Sequence, residues 1–411
     1  MLNRTVKVTL VTQWFPPEPA DLWKELAIGL KSKGFDVTVV TAFPNYPYGK
    51  VYEGYKQSLN YIEYMDGVKV IRLPVFPDHS KSIFRRGLSY ISFALSLLLL
   101  GSFRMPKSDI LLCYSPPLTV SFVTAILAFF KRVPFILNIQ DMWPDTLVAS
   151  GMVSKTSRIL RIIEMTASWI YKRSKFIVVL SEGFKKHLEV KYNLKGKVCY
   201  IPNLTHHLEI DKNSNRKNIR NELNISQSDF VYLYAGNMGE AQQIDVIIDA
   251  FSKASVNNAK LLLVGDGIQI HDLQQRVERK NIENVIFAGR VSSSKVALYY
   301  EISDILLIHL KNDDLFKITI PHKIISYLEV GKPILAAVPG EVNSIVKLSE
   351  SGMTCDSENS DVFAECMKAM ACLSVTERKK MGNNARKYYD ISFARETIIS
   401  SWNELIKRAL K

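Results

Sequence analysis

Residues 321–333 read Pro-His-Lys-Ile-Ile-Ser-Tyr-Leu-Glu-Val-Gly-Lys-Pro and run into the apolar stretch 334–338. Pro321 opens a short helix, where its missing N–H costs nothing. Lys323 falls in the first turn, beside exposed backbone donors that favour a bound anion. Gly331 suits the helix end, and a buried strand follows. The unit is a helix N-terminus with added positive charge beside a parallel sheet. That chemistry suits a diphosphate and points to an enzyme handling a nucleotide-linked substrate.

Three further turns carry the same chemistry. After the strand at 230–236, Gly236 and Gly239 permit close backbone approach, and Asn237 and Gln242 lie in the same loop. After the strand at 260–266, Gly265 and Gly267 flank Asp266, which suits a helix cap or a ribose hydroxyl. Arg290 follows a third strand, where a cation can pair with phosphate. Each turn alone equally suits an ordinary α/β connection; together with Lys323 they describe one phosphate-bearing wall. Glu341 follows the last expected strand, where a carboxylate can accept from hydroxyls of a bound substrate. No GxxxxGK[ST] occurs, which disfavours a P-loop nucleotidase, and the strict GxGxxG fingerprint of nicotinamide enzymes is missing.

The acceptor side is expected from the first half. Trp14-Phe-Pro-Pro-Glu18 closes the first strand, and residues 43–55 form a loop dense in aromatics that includes Tyr46. Tyrosine faces with polar tips suit sugar rings. Asn138-Ile-Gln-Asp-Met-Trp-Pro-Asp145 follows a buried strand and presents Asp141, Trp143 and Asp145. A carboxylate there can deprotonate or orient an acceptor hydroxyl; packing or capping is equally consistent with either one alone. With no Asp-x-Asp, HExxH or clustered His, neither a metal nor a resident cofactor is expected, and helix ends with Lys323 would stabilise the leaving diphosphate. His206-His207 reads as solvated linker.

The elements that position these residues are legible as alternating short apolar runs and helical patterns. Strands are expected at 6–13, 36–41, 69–75, 109–115, 135–140, 175–181 and 198–203, then at 230–236, 260–266, 285–289, 305–310 and 333–338. Continuous apolar strands separated by helices argue two doubly wound α/β halves facing a cleft. The expected division is an acceptor- and membrane-facing domain over 1–205, a polar linker over 206–228, a nucleotide-sugar domain over 229–385 and a terminal amphipathic helix, 386–411. The formal charge of +13 lies in the first half, where residues 1–205 hold 27 Lys and Arg against 14 Asp and Glu, while 206–411 hold 26 of each. Such a half can face anionic lipid; nucleic acid is a poor partner without a recognition motif. Two uncharged stretches, 87–103 and 118–130, are flanked by bases including Arg85, Arg86, Arg104 and Lys131. Both read as too short or interrupted to span a bilayer, and suit either sheet-covering helices or partial insertion at an anionic membrane interface. The five cysteines form no CxxC pair, and the start lacks a signal-peptide pattern, so a cytosolic compartment is expected.

The chain resembles GT-B glycosyltransferases of family 4 over nearly its full length. The segments that carry the likeness are TQWFPPEP (12–19), TAFPNYPYGKVYEGY (41–55), NIQDMWPDTLVASGM (138–152), LSEGFKKHL (180–188), IPN (201–203), YAGNMGEAQQIDVIIDAF (234–251), LLLVGDG (261–267), FAGRV (287–291), SDILLIHLKND (303–313) and IPHKIISYLEVGKPILAAVPGE (320–341). It is most similar to the bacterial O-antigen and capsule subgroup, N-acetyl-L-fucosamine transferases among them. The resemblance implies retaining, metal-independent transfer from a nucleotide sugar, usually UDP-linked, to a polyprenyl-pyrophosphate-linked saccharide. The enzyme would work as a peripheral protein on the inner face of the cytoplasmic membrane, and its terminal helix, 386–411, would cross back onto the first domain. The chain departs from the family where Ile318 and Ser326 replace a Glu pair, where Asn237 and Gln242 replace an Arg and a Lys, where Gln140 replaces a His, and where Pro19-Ala-Asp-Leu replaces a glycine-rich turn. A nucleotide-sugar epimerase of the same fold and a non-catalytic basic membrane-binding protein are the alternatives.

Overall fold

The computed structural model describes residues 4–80, 82–146, 154, 156–204 and 216–411. His206-His207 and the rest of the first ten residues of the expected linker, 206–215, lie outside them. The chain forms two compact units, Met1–Leu204 with Arg395–Lys411, and Thr205–Ala394.

The first unit is built on an eight-stranded sheet in the order β3-β4-β2-β1-β5-β6-β7-β8. Its strands are β1 (Lys7–Val11), β2 (Asp36–Ala42), β3 (Tyr61–Met65), β4 (Val68–Leu73), β5 (Ile110–Ser115), β6 (Phe135–Ile139), β7 (Phe176–Val179) and β8 (Val198–Tyr200). All neighbours pair parallel except β3 with β4. The edge strand β3 was not among the expected strands. Its signal is the Asp66-Gly67 turn, where both residues have positive φ (49° and 75°), the requirement of a tight hairpin.

Helices α1 (Asp21–Ser32), α2 (Ile83–Ser96), α3 (Leu118–Lys131), α4 (Arg158–Arg173) and α5 (Glu182–Tyr192) connect these strands. The helix α2 continues through a π-helical turn, Leu97–Gly101, into a last turn, Ser102–Arg104. The run Phe84–Arg104 thus reaches 21 residues, long and apolar enough to cross a membrane by length and composition, against the expectation of too short a segment. The sequence count began at Gly87, whereas Ser82 caps the helix a turn earlier by accepting the Arg85 N–H. The run covers the sheet with Ser89, Phe93 and Leu97, all buried, and exposes Leu88, Ile91, Leu95, Leu99 and Phe103 on its other side.

The second unit carries a six-stranded, wholly parallel sheet in the order β11-β10-β9-β12-β13-β14. Its strands are β9 (Phe230–Ala235), β10 (Ala259–Val264), β11 (Val285–Gly289), β12 (Ile305–His309), β13 (Ile334–Ala337) and β14 (Gly352–Thr354), the last of which was not expected. The helices are α6 (Arg216–Glu222), α7 (Ile244–Ala254), α8 (Ile270–Arg279), α9 (Ser293–Ile302), α10 (Asp314–Lys317), α11 (His322–Val330), α12 (Glu341–Leu348), α13 (Ser360–Cys372) and α14 (Val375–Ser392). Two boundaries differ from the sequence reading. Residues 216–222, expected as linker, are helical because Ile219 and Leu223, four apart, pack on the second core. The C-terminal helical segment breaks at buried Phe393, which belongs to that core with Tyr389, so the unit boundary falls after Ala394 rather than after 385.

The terminal helix α15 (Arg395–Ala409) packs Ile398, Ile399, Trp402, Leu405 and Ile406 into the core of the first unit with Trp23, Leu26 and Leu30 of α1. Gly29 leaves the notch for it, since a Cβ there would lie 1.6 Å from Ile399 Cδ1. Trp402→Ala is expected to destabilise the first unit by about 3–5 kcal/mol in urea unfolding; an unchanged midpoint would show that the helix is not part of that core.

Candidate functional site

In the second unit the strand order reverses between β9 and β12, and in parallel sheets ligands bind at the carboxyl ends beside such a switch point. The loops that follow these two strands meet there. Lys311 donates its backbone N–H to Ala241 C=O (2.9 Å), and His309 Nδ1 lies 2.9 Å from Gln242 C=O. The other His309 nitrogen, Nε2, accepts from Glu358 N–H (3.1 Å), so the ring donates through Nδ1. Burial lowers its pKa and keeps it neutral. This histidine acts as a strut.

The glycine turns are stitched together by backbone bonds. Gly236 donates to Val264 C=O, Met238 to Asp266 C=O and Gly265 to Gly289 C=O, at 2.9, 2.9 and 2.8 Å. Gly236 and Gly265 have φ of 141° and 131°, and a Cβ on Gly265 would stand 2.0 Å from the Gly236 oxygen. Any side chain at Gly265 would push these turns apart. The carboxylate of Asp266 accepts its neighbour Gly267 N–H (2.8 Å) instead of capping α8, whose N-cap is Gln269. Gln242 is also committed within the loop: its Oε1 accepts from Gly239 N–H (3.1 Å) and Asn237 Nδ2 (3.2 Å). Arg290 is exposed directly after β11, adjoining Gly289 and so the Gly265 turn.

Pro321, expected as the first helical residue, is instead the N-cap of α11, which begins one position later at His322, and Lys323 lies in the first turn. The side chain of Lys323 passes the Gly236 turn, with Nζ 3.1 Å from where a Gly236 Cβ would be, and lies 3.7 Å over the ring of Tyr234. The ammonium is enclosed and has no hydrogen-bond acceptor among the described residues. Desolvation lowers its pKa to about 7, with the Tyr234 ring as its stabilising contact. The Tyr327 hydroxyl pins the helix by accepting Ala235 N–H and donating to Leu307 C=O, both at 3.1 Å. Tyr234, Tyr327 and His309 escaped the sequence reading as functional supports; the aromatic residue two before Gly236 was the available signal for Tyr234. Glu341 opens α12 after Gly340, at the carboxyl end of β13.

In the first unit the expected acceptor-side residues separate into distinct roles. Glu18 is buried rather than facing a ligand, and its carboxylate accepts N–H groups from Phe15, Asn45 and Tyr46 at 3.0, 2.8 and 2.8 Å. It bolts the loop after β1 to the aromatic loop after β2. Burial outweighs these donors and the nearby Arg72 charge, raising its pKa from 4.5 to about 7. Tyr46 is held by that bolt and packs on Trp14 (5.7 Å between ring centroids) and His79 (4.7 Å). Trp14 also meets Tyr90, one turn along α2 from Arg86. Asp145 is engaged by His187 (3.1 Å) and Lys191 (2.8 Å), which hold its pKa down. Trp143 accepts the Tyr171 hydroxyl at its carbonyl (3.1 Å). Asp141, exposed just beyond β6, has no salt-bridge partner among the described residues, and partial desolvation raises its pKa. Tertiary structure therefore distinguishes Asp141, with a free carboxylate, from Asp145, a member of an ion-pair cluster.

Residues 20–204 match the glycosyl transferase 4-like domain and residues 215–388 the glycosyl transferases group 1 domain. The chain belongs to the GT-B glycosyltransferases built from these two domains. It is similar to the probable glycosyltransferase WbjE of Pseudomonas aeruginosa, 21% identical with 77% of this chain and 81% of that one covered. It is also similar to the putative colanic acid biosynthesis glycosyl transferase WcaI of Escherichia coli K12, 24% identical with 77% and 79% covered. The structure of Anabaena HepE in complex with UDP and glucose shares the fold, with a TM-score of 0.70 at 15% identity over 98% of this chain and 100% of that one.

Because folded Glu18 titrates near 7 and an unfolded Glu near 4.5, the folded state binds more protons between these values. Stability conferred at low pH should therefore be lost as pH rises from about 4.5 to about 7, at up to roughly 1.4 kcal/mol for each pH step of one. Glu18→Gln should flatten that slope in denaturant titrations at stepped pH; an unaltered slope assigns it to another group.

Proposed function

We propose that this protein transfers a sugar, with retention, from a nucleotide sugar to a lipid-pyrophosphate-linked glycan during assembly of a surface polysaccharide of the O-antigen or capsule kind. The donor in this reading is UDP-linked, with a hexose or an N-acetylaminosugar such as N-acetyl-L-fucosamine. The observation that carries it is the buried Lys323 ammonium, without an acceptor, at a helix N-terminus beside the glycine turns. An anion placed there would meet the charge and the backbone donors together. The UDP found in the HepE complex supports the nucleotide class. The colanic acid biosynthesis named for WcaI supports the glycan setting.

In this reading the second unit holds the donor. Gly236, Gly239, Gly265 and Gly267 let backbone approach the diphosphate, while Asn237 and Gln242 shape the first turn. Asp266 and Glu341 face sugar hydroxyls, and Arg290 pairs with phosphate. Pro321 and Lys323 present the helix end that stabilises charge developing on the leaving diphosphate, so no metal ion or other cofactor is required. The first unit takes the acceptor at an anionic membrane surface, on the inner face of the cytoplasmic membrane. Asp141 orients the attacking hydroxyl there, and the Trp14 and Tyr46 rings support the sugar.

Lys323→Ala is expected to lower turnover of a UDP-sugar more than about tenfold, the worth of a charge-assisted phosphate contact of roughly 1.5–3 kcal/mol. Binding favours the protonated amine, so affinity for UDP-glucose, whose diphosphate has no group titrating near neutrality, should fall as pH rises above about 7. Lys323→Met should remove that fall in calorimetric titrations; a flat wild-type profile would exclude Lys323 from the phosphate site. Asp141→Asn should cost about 10²-fold or more in kcat with donor binding unchanged, and Asp145→Asn far less. Release of free nucleotide and sugar without an acceptor would indicate the epimerase reading instead.

A further inference from the structure

At the opposite, amino-terminal edge of the first unit's sheet lies a cavity of about 620 Å³. It is lined by segments that lead into β6, β7 and β8, so it is removed from the carboxyl-end loops carrying Trp14, Tyr46 and Asp141. Four cations converge on it: Arg132, Arg173, Lys175 and Lys197. Among the described residues none of the four is ion-paired with a carboxylate. The Arg173 guanidinium stacks over Trp169 (4.5 Å) and Phe129 (5.6 Å), which fixes the charge in place. Lys197 Nζ donates to the Lys172 carbonyl (2.6 Å), and burial lowers its pKa. Four like charges held around one cavity repel each other, and a bound anion relieves that repulsion.

The rim of the cavity selects among anions. Phe129 lines it, and Phe129 and Phe130 at the end of α3 are 65% and 75% exposed. Lys131 Nζ donates to the Ser102 carbonyl (2.9 Å), tying that end to the last turn after α2, where Leu99 and Phe103 are 62% and 90% exposed. A soluble phosphate would have no use for this apolar border, whereas acyl chains would lie against it.

The geometry points to a headgroup site for an anionic phospholipid, with its phosphate among Arg132, Arg173, Lys175 and Lys197 and its acyl chains along Phe129, Phe130 and Phe103. The site gives the membrane contact of the proposed function a specific ligand and rests on that part of the reading; it is independent of the donor site in the second unit. It orients the first unit through a socket rather than through diffuse surface charge alone.

The test is sedimentation of the full chain with vesicles of phosphatidylglycerol or of phosphatidylcholine. Binding to phosphatidylglycerol is expected to be about tenfold tighter or more, and Arg132→Gln/Arg173→Gln to weaken it about twentyfold. Lys175→Gln/Lys197→Gln is an independent pair that leaves the Arg173 stacking intact, should the first pair fail to fold by circular dichroism. Lys56→Gln/Lys186→Gln removes the same charge from exposed sites elsewhere on the unit and is expected to change binding less than about threefold. Equal losses in control and socket pairs would reduce the attraction to diffuse charge and overturn the assignment, as would unchanged binding in both socket pairs. Inorganic phosphate should displace no more protein than chloride at matched ionic strength; selective displacement by phosphate would make this a free-anion site and equally overturn it. UDP-glucose calorimetry on the same proteins reports the donor reading separately, so either can fail alone.

Discussion

A lysine ammonium enclosed in protein without an acceptor is costly, and the second unit is organised around that cost. Lys323 can be there because Gly236 lacks a Cβ and because the Tyr234 ring offers its π face 3.7 Å away. Tyr234 is itself fixed, its hydroxyl donating to the Asn237 carbonyl at 2.7 Å, and Tyr327 anchors the lysine's helix to β9 and β12. The Gly236 and Gly265 turns are drawn together by backbone bonds that no side chain would tolerate. The lysine is thereby held beside the glycine turns, where the proposed function places the donor diphosphate.

The first unit solves a different problem with the same economy of parts. Its loops at the carboxyl edge must hold aromatic rings in place without regular structure. A buried carboxylate, Glu18, does so by gathering three backbone N–H groups from two loops. Arg72, wholly buried, adds a second tie by donating to the carbonyls of Ala42 and Pro16 and to Glu63. Carboxylates at this edge thus divide between scaffolding, in Glu18 and Asp145, and a free group, in Asp141.

The helices of that unit carry a further constraint. The run through α2 must cover the sheet with one side, and yet it carries a row of apolar residues on the other. A soluble protein rarely exposes a row such as Leu88, Ile91, Leu95, Leu99 and Phe103 without an apolar partner. Together with α3 and the cations near its end, that row gives the unit a face suited to a charged, apolar surface.

Much of this was written in the sequence. Continuous apolar strands alternating with helical patterns dictated two doubly wound units, because strands covered on both faces have few other solutions. The glycine spacing after β9 and β10 and the Pro-His-Lys helix start were legible because local backbone geometry demands particular residues. The roles of Glu18, Asp141 and Asp145 were not, since a carboxylate's function depends on which donors and cations surround it, and those come from chain positions far away. The length of α2, the helix within 216–222 and the break at Phe393 were likewise decided by packing, which overrides local propensity. The sequence by itself determined that a lysine would stand in the first turn of that helix. Only the tertiary structure decided that its ammonium would be enclosed with no acceptor, because burial is a property of neighbours that the chain brings together only on folding.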